Sequence, residues 1–282
     1  MLETSALAAA FCCAALGCGG GGGDGEPAPI ECSDPGAGAG LRAPGDGVQL
    51  PAPGAAFDYQ LGAAYPPSAG VSLVVRDRTA APAPGAYNVC YVNGFQTQPD
   101  EEWSGDRADL VLQERGRRVE DADWPGEYLL DISTADKRER LVAVVGAWVQ
   151  ACAATGFDAV ELDNLDSFTR SSGRLGFADV SAYAVGLLAV AHRSGLAVAQ
   201  KNTAEASACL SALGFDFAVA EECWGQGECD AYTAQYGDRV YDIEYETAAF
   251  ERGCDAGSAP RPILRDLELV APGSGYVRRQ CP

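Results

Sequence analysis

Eight short apolar runs recur along the chain from Phe57 onward, and they restrict the possible fold more than any other feature of the sequence. Several of them are apolar at nearly every position, which is typical of strands that are covered on both faces. Helical patterns separate the later runs. An alternation of strands and helices with eight strands predicts an α/β fold, the (β/α)8 or TIM barrel. The predicted strands are 57–61, 72–75, 88–92, 128–132, 159–162, 197–200, 215–220 and 239–243.

The links between the predicted strands differ along the chain. Helical patterns cover residues 137–154, 180–193 and 203–213, and a glycine follows closely after each of the last two, as is common at helix ends. By contrast, the links 61–72 and 76–88 are rich in Pro and Gly, which disfavours full crossover helices. The barrel is therefore predicted to be irregular in its first third.

The N-terminal part of the chain is predicted to lie outside the folded domain. Residues 1–18 have the character of an export signal, and A-L-G-C, ending at Cys18, resembles the lipidation signal of bacterial lipoproteins. An ordinary signal peptide is the alternative, because Glu3 and no basic residue precede the apolar stretch. Residues 19–54 are rich in Gly, Pro and Ala and predict a flexible linker, which leaves 55–282 for the barrel. We therefore expect a lipoprotein at the cell surface or outer membrane, touching the membrane only through its lipid, or else a secreted protein.

Cysteine usage agrees with export. Of eleven cysteines, eight lie beyond residue 18, and an even number in an oxidising compartment predicts disulfides. Cys223 and Cys229 are predicted to pair because they close a short loop, and Cys32 and Cys281 because they lie at the two ends of the domain. The sequence has no C-x-x-C pair, which argues against a zinc ribbon or a redox site. The remaining cysteines stay unassigned: Cys90, Cys152, Cys209 and Cys254.

The formal net charge of −20 limits the partners. A nucleic-acid-binding surface needs a basic patch, so nucleic acid is not expected, whereas a cationic polymer would be attracted. The alternative explanation of this negative charge is that it only keeps an exported protein soluble.

The single histidine, His192, lies near the end of a predicted helix, where it complements the helix dipole. Histidine-rich zinc sites and a Ser-His-Asp triad are disfavoured, so carboxylates remain the available acids and bases. We expect a monomer without a cofactor.

Polar and charged side chains collect where the predicted strands end. In a TIM barrel all these ends open onto one cavity, so the pattern predicts a functional site there. Alternation along the strand that starts at Ala159 predicts that Glu161 and Asp163 face one side. Val160 and Leu162 are then expected on the other side. The candidate site residues are Gln60, Asp77, Tyr91, Asp131, Glu161, Asp163, Asn164, Asp166, Lys201, Asn202, Glu221 and Glu244.

A cavity with many carboxylates and no usable histidine indicates glycoside hydrolysis. This reaction needs two carboxylic acids, one that protonates the leaving oxygen and one that acts as nucleophile or base. Lys201 is suited to hold one of them ionised. Trp103, Trp124 and Trp224 are candidates for stacking on sugar rings, although packing explains each equally well.

Two other functions fit parts of the same pattern. A barrel that binds sugar at the cell surface without cutting it would use the same polar face, but the presence of both candidate acids favours an enzyme. Oxygen ligands for calcium are also offered by Glu161, Asp163, Asn164 and Asp166. Their spacing lacks the glycine turn and terminal Glu of a known calcium loop, so no metal is expected.

The motifs along the domain resemble those of glycoside hydrolase family 114, the endo-α-1,4-polygalactosaminidases. They occur in the same order and cover most of the predicted barrel. The matching segments are Y-Q-L (59–61), C-Y-V-N-G-F-Q-T-Q-P (90–99), W-P-G-E-Y-L-L-D-I (124–132), G-F-D-A-V-E-L-D-N-L-D (156–166), A-H-R-S-G-L (191–196), K-N (201–202), F-D-F-A-V-A-E-E-C (215–223) and I-E-Y (243–245).

The resemblance implies a TIM barrel that cuts an α-1,4-linked galactosamine polymer internally, a substrate that is cationic where its amines are free. It also implies that the catalytic acids are Asp163, in the E-x-D-N motif, and Glu221, in the A-V-x-E-x-C motif. The chain departs from the family pattern at Ala220, where asparagine is expected, and at Glu222, where glutamine is expected. The extra acid beside Glu221 suits a general acid, because a neighbouring negative charge favours the protonated form. The other candidates are expected to bind substrate.

Overall fold

The computed structural model describes Ile30, Cys32, residues 47–99 and residues 101–282. The predicted export signal 1–18, with Cys18, and most of the predicted linker 19–54 lie outside the described residues.

The strands and helices alternate along the described chain. In chain order the strands are β1 (Phe57–Gln60), β2 (Leu73–Asp77), β3 (Tyr87–Asn93), β4 (Gln113–Glu114), β5 (Arg117–Arg118), β6 (Ala159–Asp163), β7 (Ala197–Lys201), β8 (Phe217–Glu221), β9 (Val240–Glu244), β10 (Ile263–Arg265) and β11 (Arg278–Gln280). The helices are α1 (Ala135–Thr155), α2 (Ser167–Arg170), α3 (Phe177–Arg193), α4 (Ser207–Leu213), α5 (Cys223–Gln226), α6 (Cys229–Tyr236) and α7 (Thr247–Ala256), with 3-10 helices at Gly105–Leu110 and Ala204–Ala206.

One curled sheet forms the barrel. Its strand order is β1-β2-β3-β6-β7-β8-β9-β10-β11; all neighbours are parallel except β11, which pairs antiparallel with β10. Two arginines join β10 and β11 back to β1. Arg278 donates a hydrogen bond to the carbonyl oxygen of Phe57 at 2.8 Å, and Arg265 donates one to the carbonyl oxygen of Tyr59. Both guanidinium groups also lie 3.2–3.4 Å from the buried carboxylate of Asp58. The predicted (β/α)8 barrel is confirmed.

Side-chain alternation builds two apolar layers. Residues such as Val75 and Phe217 fill the barrel interior, whereas Val160 and Leu162 pack in the outer layer against helices α1 and α3. Ala159 belongs to the interior layer, and because side chains alternate, Glu161 and Asp163 continue its side of β6. The predicted division of this strand is confirmed.

One of the eight predicted strands is wrong. Residues 128–132 do not join the barrel. They lie in the long connection between β3 and α1, where isolated antiparallel bridges link Tyr128, Leu129 and Leu130 to residues of that same connection. Leu129, Leu130 and Ile132 are fully buried, so the run is apolar because it packs beneath the connection. The eighth parallel strand is instead β10.

The predicted helices and the irregular first third are confirmed. The Thr134 hydroxyl accepts a hydrogen bond from the backbone N–H of Lys137 at 3.3 Å at the start of α1, and Gly156, with φ of 96°, ends that helix. The region 203–213 divides into a 3-10 helix followed by α4. Within the described chain, the links β1–β2 and β2–β3 contain no helix.

Four disulfides stabilise the barrel. The predicted pair Cys223–Cys229 is confirmed, but the predicted pair Cys32–Cys281 is wrong. Cys281 directly follows β11, which holds it beside the end of α7, where it pairs with Cys254. The four pairs are Cys32–Cys209, Cys90–Cys152, Cys223–Cys229 and Cys254–Cys281. Such bonds persist in oxidising compartments, which fits an exported protein. Among the helices described, none has the length and apolar character needed to cross a bilayer.

Candidate active site

A single lysine lies at the centre of three carboxylates at the C-terminal face of the barrel. The Nζ atom of Lys201 is 3.0 Å from Oε2 of Glu221, 3.6 Å from Oδ2 of Asp163 and 3.6 Å from Oε1 of Glu161. The lysine side chain is only 3% exposed. These four side chains come from the ends of the adjacent strands β6, β7 and β8, so strand pairing fixes their spacing.

Three tyrosines surround this cluster, and each donates a hydrogen bond to a different carboxylate. The pairs are Tyr59 to Glu161 at 2.8 Å, Tyr91 to Asp163 at 2.7 Å and Tyr245 to Glu221 at 2.5 Å. Burial, reinforced by the neighbouring carboxylates, raises the pKa of all three phenols well above the usual value. The tyrosines therefore remain protonated donors and hold the carboxylates in fixed orientations.

The backbone turns away sharply after each functional strand end. Asn164, Asn202 and Glu222 follow β6, β7 and β8, and their φ angles are 65°, 51° and 58°, in the left-handed region. This turn brings Asn202 back over the next strand. Its Nδ2 donates to Oε2 of Glu221 at 3.1 Å, and its Oδ1 accepts from the backbone N–H of Glu221 at 2.8 Å. Asparagine tolerates this conformation better than most residues, which explains its use at two of the three turns.

Burial and neighbouring charges determine which groups of the cluster are ionised. Burial raises the pKa of Glu161 to about 8, with the nearby charge of Lys201 acting in the opposite direction. Burial also opposes the charge on Lys201, but the three carboxylates outweigh it and raise its pKa well above the usual value. At neutral pH the lysine is therefore charged, whereas Glu161 holds its proton.

A second set of polar groups orients the loop after β6. Arg170 donates to Oδ1 of Asn164 and to Oε1 of Gln96, each at 2.9 Å, and pairs with Asp166 at 2.6 Å. Burial raises the pKa of the neighbouring Glu127 to about 7, although hydrogen bonds from Gln96 and from Asn93 oppose the shift. These hydrogen bonds hold the long β3–α1 connection, through Gln96, against the loop that follows β6.

The structure brings together eight of the twelve candidate residues. They lie in the cluster, in the turns that follow it or in the network around Arg170. The eight are Tyr91, Glu161, Asp163, Asn164, Asp166, Lys201, Asn202 and Glu221.

Gln60 and Glu244 lie on the wrong side of their strands for a role in the cluster. Gln60 is 1% exposed, and its side chain accepts a hydrogen bond from Arg76 at 3.0 Å in the outer layer. Glu244 is fully buried behind β9, where its Oε1 accepts from the backbone N–H of Trp224 at 2.8 Å. Because alternation directs them away from the barrel interior, we do not include them in the proposed site.

Asp131 and Asp77 are also separate from the cluster. Asp131 does not lie at the end of a barrel strand, since the strand predicted at 128–132 is absent, and its carboxylate pairs with Lys137 at the start of α1 at 2.5 Å. Asp77 ends β2, but its Oδ1 accepts hydrogen bonds from the backbone N–H and the hydroxyl of Thr79, at 2.8 and 2.5 Å. Both carboxylates therefore serve local turns.

Several site residues were not among the candidates. Tyr59 and Tyr245 precede or follow the chosen Gln60 and Glu244 by one position, so strict alternation from Phe57 and Ile243 would have identified them. Arg170 and Glu127 come from a short helix and from the long connection, and no local pattern marks them. Of the tryptophans, Trp103 is 3% exposed and Trp224 donates to the carbonyl of Pro260 at 2.9 Å, so both pack.

The structure argues against the calcium alternative. Lys201 lies where a cation would contact Glu161 and Asp163, and Arg170 already pairs with Asp166. Among the residues described, the one group of three possible ligands within mutual reach is Cys223, Cys229 and Asp242, and its two sulfurs form a disulfide.

A TIM barrel with carboxylates grouped at its C-terminal face offers the acidic groups that glycoside hydrolysis needs. A model of "Glycoside-hydrolase family GH114" matches residues 39–282, and the chain belongs to this family. A search of functionally curated proteins gave no match.

Solved structures that share the fold include two glycoside hydrolases. Aspergillus fumigatus Ega3, in a crystal structure with galactosamine, is 22% identical, with a TM-score of 0.65, covering 82% of this chain and 96% of that one. The glycoside hydrolase domain of PelA from Pseudomonas aeruginosa is 20% identical, with a TM-score of 0.55, covering 79% of this chain and 99% of that domain. At these identities the similarity establishes the fold alone.

Proposed function

We propose that this glycoside hydrolase cleaves α-1,4-linked galactosamine polysaccharide internally, with Asp163 and Glu221 as its carboxylate pair. The observation that supports the pair most directly is the shared contact with Lys201, 3.6 Å from one carboxylate and 3.0 Å from the other. Both acids lie at strand ends in the C-terminal face, where TIM barrels place their catalytic groups, and only β7, which carries Lys201, separates their strands β6 and β8.

Both carboxylates are held by hydrogen bonds. Asp163 accepts from the backbone N–H of Asn164 at 2.8 Å and from Tyr91 at 2.7 Å, and Glu221 accepts from Tyr245 at 2.5 Å and from Asn202 at 3.1 Å. Glu221 borders an open cavity that can receive a leaving sugar. We therefore assign Asp163 as the nucleophile or base and Glu221 as the acid.

The spacing of the pair favours retention of anomeric configuration. Since both oxygens contact Lys201 Nζ, Asp163 Oδ2 and Glu221 Oε2 can be no more than about 6.6 Å apart, at the lower edge of the range of roughly 6.5–9.5 Å for inverting enzymes. Retaining enzymes hold their carboxylates closer, roughly 5–5.5 Å apart. We infer a covalent glycosyl-enzyme on Asp163 that water then hydrolyses.

The galactosamine assignment is supported by the family, by the galactosamine bound to the structurally similar Ega3 and by charge. A polymer with free amines is cationic, and a chain of net charge −20 attracts it over long range.

Incubation with purified polygalactosamine and with its N-acetylated form, followed by product sizing, tests the proposal. Internal cleavage gives products of intermediate size that become shorter with time, whereas release of monomers alone would contradict internal cleavage.

Asp163→Asn and Glu221→Gln should each lower kcat by at least about 10³-fold while the fold persists. Glu139→Gln, on the exposed side of α1, is the matched control. Wild-type-like turnover in either site variant would refute the pair, and binding without any product would indicate a sugar-binding protein instead. NMR of the first product gives its anomeric form.

We also propose that the protein is a monomer tethered to the cell surface or outer membrane through a lipid on Cys18. The lipoprotein-like sequence at that cysteine and the four disulfides of an exported domain support this. Labelling with a fatty-acid analogue should be lost in Cys18→Ser. Full secretion of the unlabelled wild-type protein would favour an ordinary signal peptide.

A further inference from the structure

An acidic cavity of about 260 Å³ opens beside Glu221, between the ends of β7 and β8 and helix α6. Its lining includes five carboxylates, and within the described chain it includes no lysine or arginine. The acids are Asp166, Glu205, Glu221, Glu222 and Glu228. Asp166 pairs with Arg170 and Glu221 with Lys201. The other three form no ion pair with any described basic residue.

The carboxylates in this cavity repel one another, which disfavours their ionisation. Partial burial of its carboxyl on an otherwise exposed residue, followed by the charge of Glu205, raises the pKa of Glu228. Burial, with the charges of Glu244 and Glu221, raises the pKa of Glu222. Carboxylates that resist ionisation for these reasons are stabilised when a cation enters between them.

Thr203 gives an independent indication of a ligand. This residue lines the cavity, is 7% exposed, and its hydroxyl has no hydrogen-bond partner. A buried hydroxyl without a partner is costly, so such groups usually receive one from a ligand or water. Thr203 directly follows Asn202, which binds Glu221, so a group bound to its hydroxyl would lie close to the proposed acid.

We propose that this cavity is a subsite for a positively charged amino sugar on the leaving-group side of the cleaved bond. The inference rests on the proposed function, because the side is set by Glu221 as the acid: the cavity is bordered by Glu221 but not by Asp163. A sugar ammonium offers both the charge for the glutamates and donors for the Thr203 hydroxyl. A metal ion fits less well, because among the described residues no three of these carboxylates come within ligating distance of one another.

Neutralising the outer glutamates tests the subsite. The double variant Glu205→Gln/Glu228→Gln removes two charges from exposed side chains, so folding is not at risk. We expect its KM for a fully de-N-acetylated galactosamine oligomer to rise by about tenfold with little change in kcat, since two exposed and individually weak charge interactions with the substrate are lost. Its KM for the N-acetylated oligomer should stay within about twofold of wild type. Glu139→Gln, which removes an exposed charge that does not line the cavity, should change neither.

A binding measurement separates failure of the subsite from failure of the proposed function. NMR titration of the full chain with monomeric galactosamine and N-acetylgalactosamine does not depend on cleavage. Stronger binding of galactosamine, lost in the double variant, supports the subsite even if the wild type cleaves neither polymer. Normal cleavage of the free-amine polymer by both wild type and double variant, with equal KM, overturns the subsite and leaves the proposed function intact.

Discussion

Replacing Glu161 with glutamine should stabilise the protein increasingly as the pH rises. Glu161 is fully buried, and its Oε1 accepts a hydrogen bond from Tyr59 at 2.8 Å and lies 3.6 Å from Lys201. Burial, with the charge of Asp163 adding and that of Lys201 opposing, raises the pKa of Glu161 from the usual 4.5 to about 8. Glutamine has the same shape and can accept the same hydrogen bond, but it does not titrate.

The sign and size of the effect follow from the proton balance. Between the usual pKa of glutamate and about 8, the folded protein keeps a proton that the unfolded chain has released. Its contribution to stability is therefore complete below pH 4.5 and is lost as the pH rises through 8, by up to about 1.4 kcal/mol per pH unit. Over the whole interval the loss is about 5 kcal/mol. The Glu161→Gln variant does not lose this stability, because glutamine does not titrate.

Denaturant unfolding at pH 5, 6, 7 and 8, at constant ionic strength and with disulfides intact, measures the effect. The free energy of unfolding of Glu161→Gln minus that of wild type should rise steadily with pH. The charged groups that face this position, Lys201, Asp163 and Glu221, are present in both proteins, so their own titration largely cancels. Glu139→Gln should give a difference independent of pH. A flat difference for Glu161→Gln as well would refute the buried-proton reasoning.

Three further predictions follow from the same structure. Lys201→Met should lower kcat/KM by at least about 10²-fold and move the acid limb of the pH–rate profile to higher pH, because Asp163 and Glu221 lose their shared cation; an unshifted profile would contradict this. Peptide mapping without reduction should recover Cys254 joined to Cys281, and replacing both with serine should lower the free energy of unfolding by about 3 kcal/mol. Glu244→Gln should raise the melting temperature above neutral pH, since burial raises the pKa of the Glu244 carboxyl and the variant removes a charge that burial disfavours; an equal or lower melting temperature at pH 8 would contradict this.

The sequence was sufficient to predict which residues meet at the centre of the candidate site. Strands β6, β7 and β8 each begin with apolar residues and end in a charged one, and such short runs are recognisable locally. Once these strands are placed, parallel pairing and alternation bring Asp163, Lys201 and Glu221 to one face without further information.

The errors have two physical causes. A run such as 128–132 is apolar because it is buried, and burial alone does not reveal whether a segment pairs in the barrel or forms bridges within a connection. The real eighth strand, Ile263–Arg265, has only three residues and gives no comparable signal. At Gln60 and Glu244 the strand was correctly predicted, but the polar residue chosen lies one position from the inward-facing tyrosine, and a shift of one reverses the face.

The same rule of alternation separates the two departures from the family pattern near Glu221. Ala220 is fully buried in the outer apolar layer. The residue that stands in place of the expected asparagine therefore lies on the side of β8 that packs against helices. Glu222 lies beyond the strand end, in the left-handed turn, and lines the cavity. There the change from the expected glutamine adds a negative charge among Glu205, Glu221 and Glu228. The first departure therefore belongs to packing, and the second strengthens the acidic cavity that we propose to bind an amino sugar.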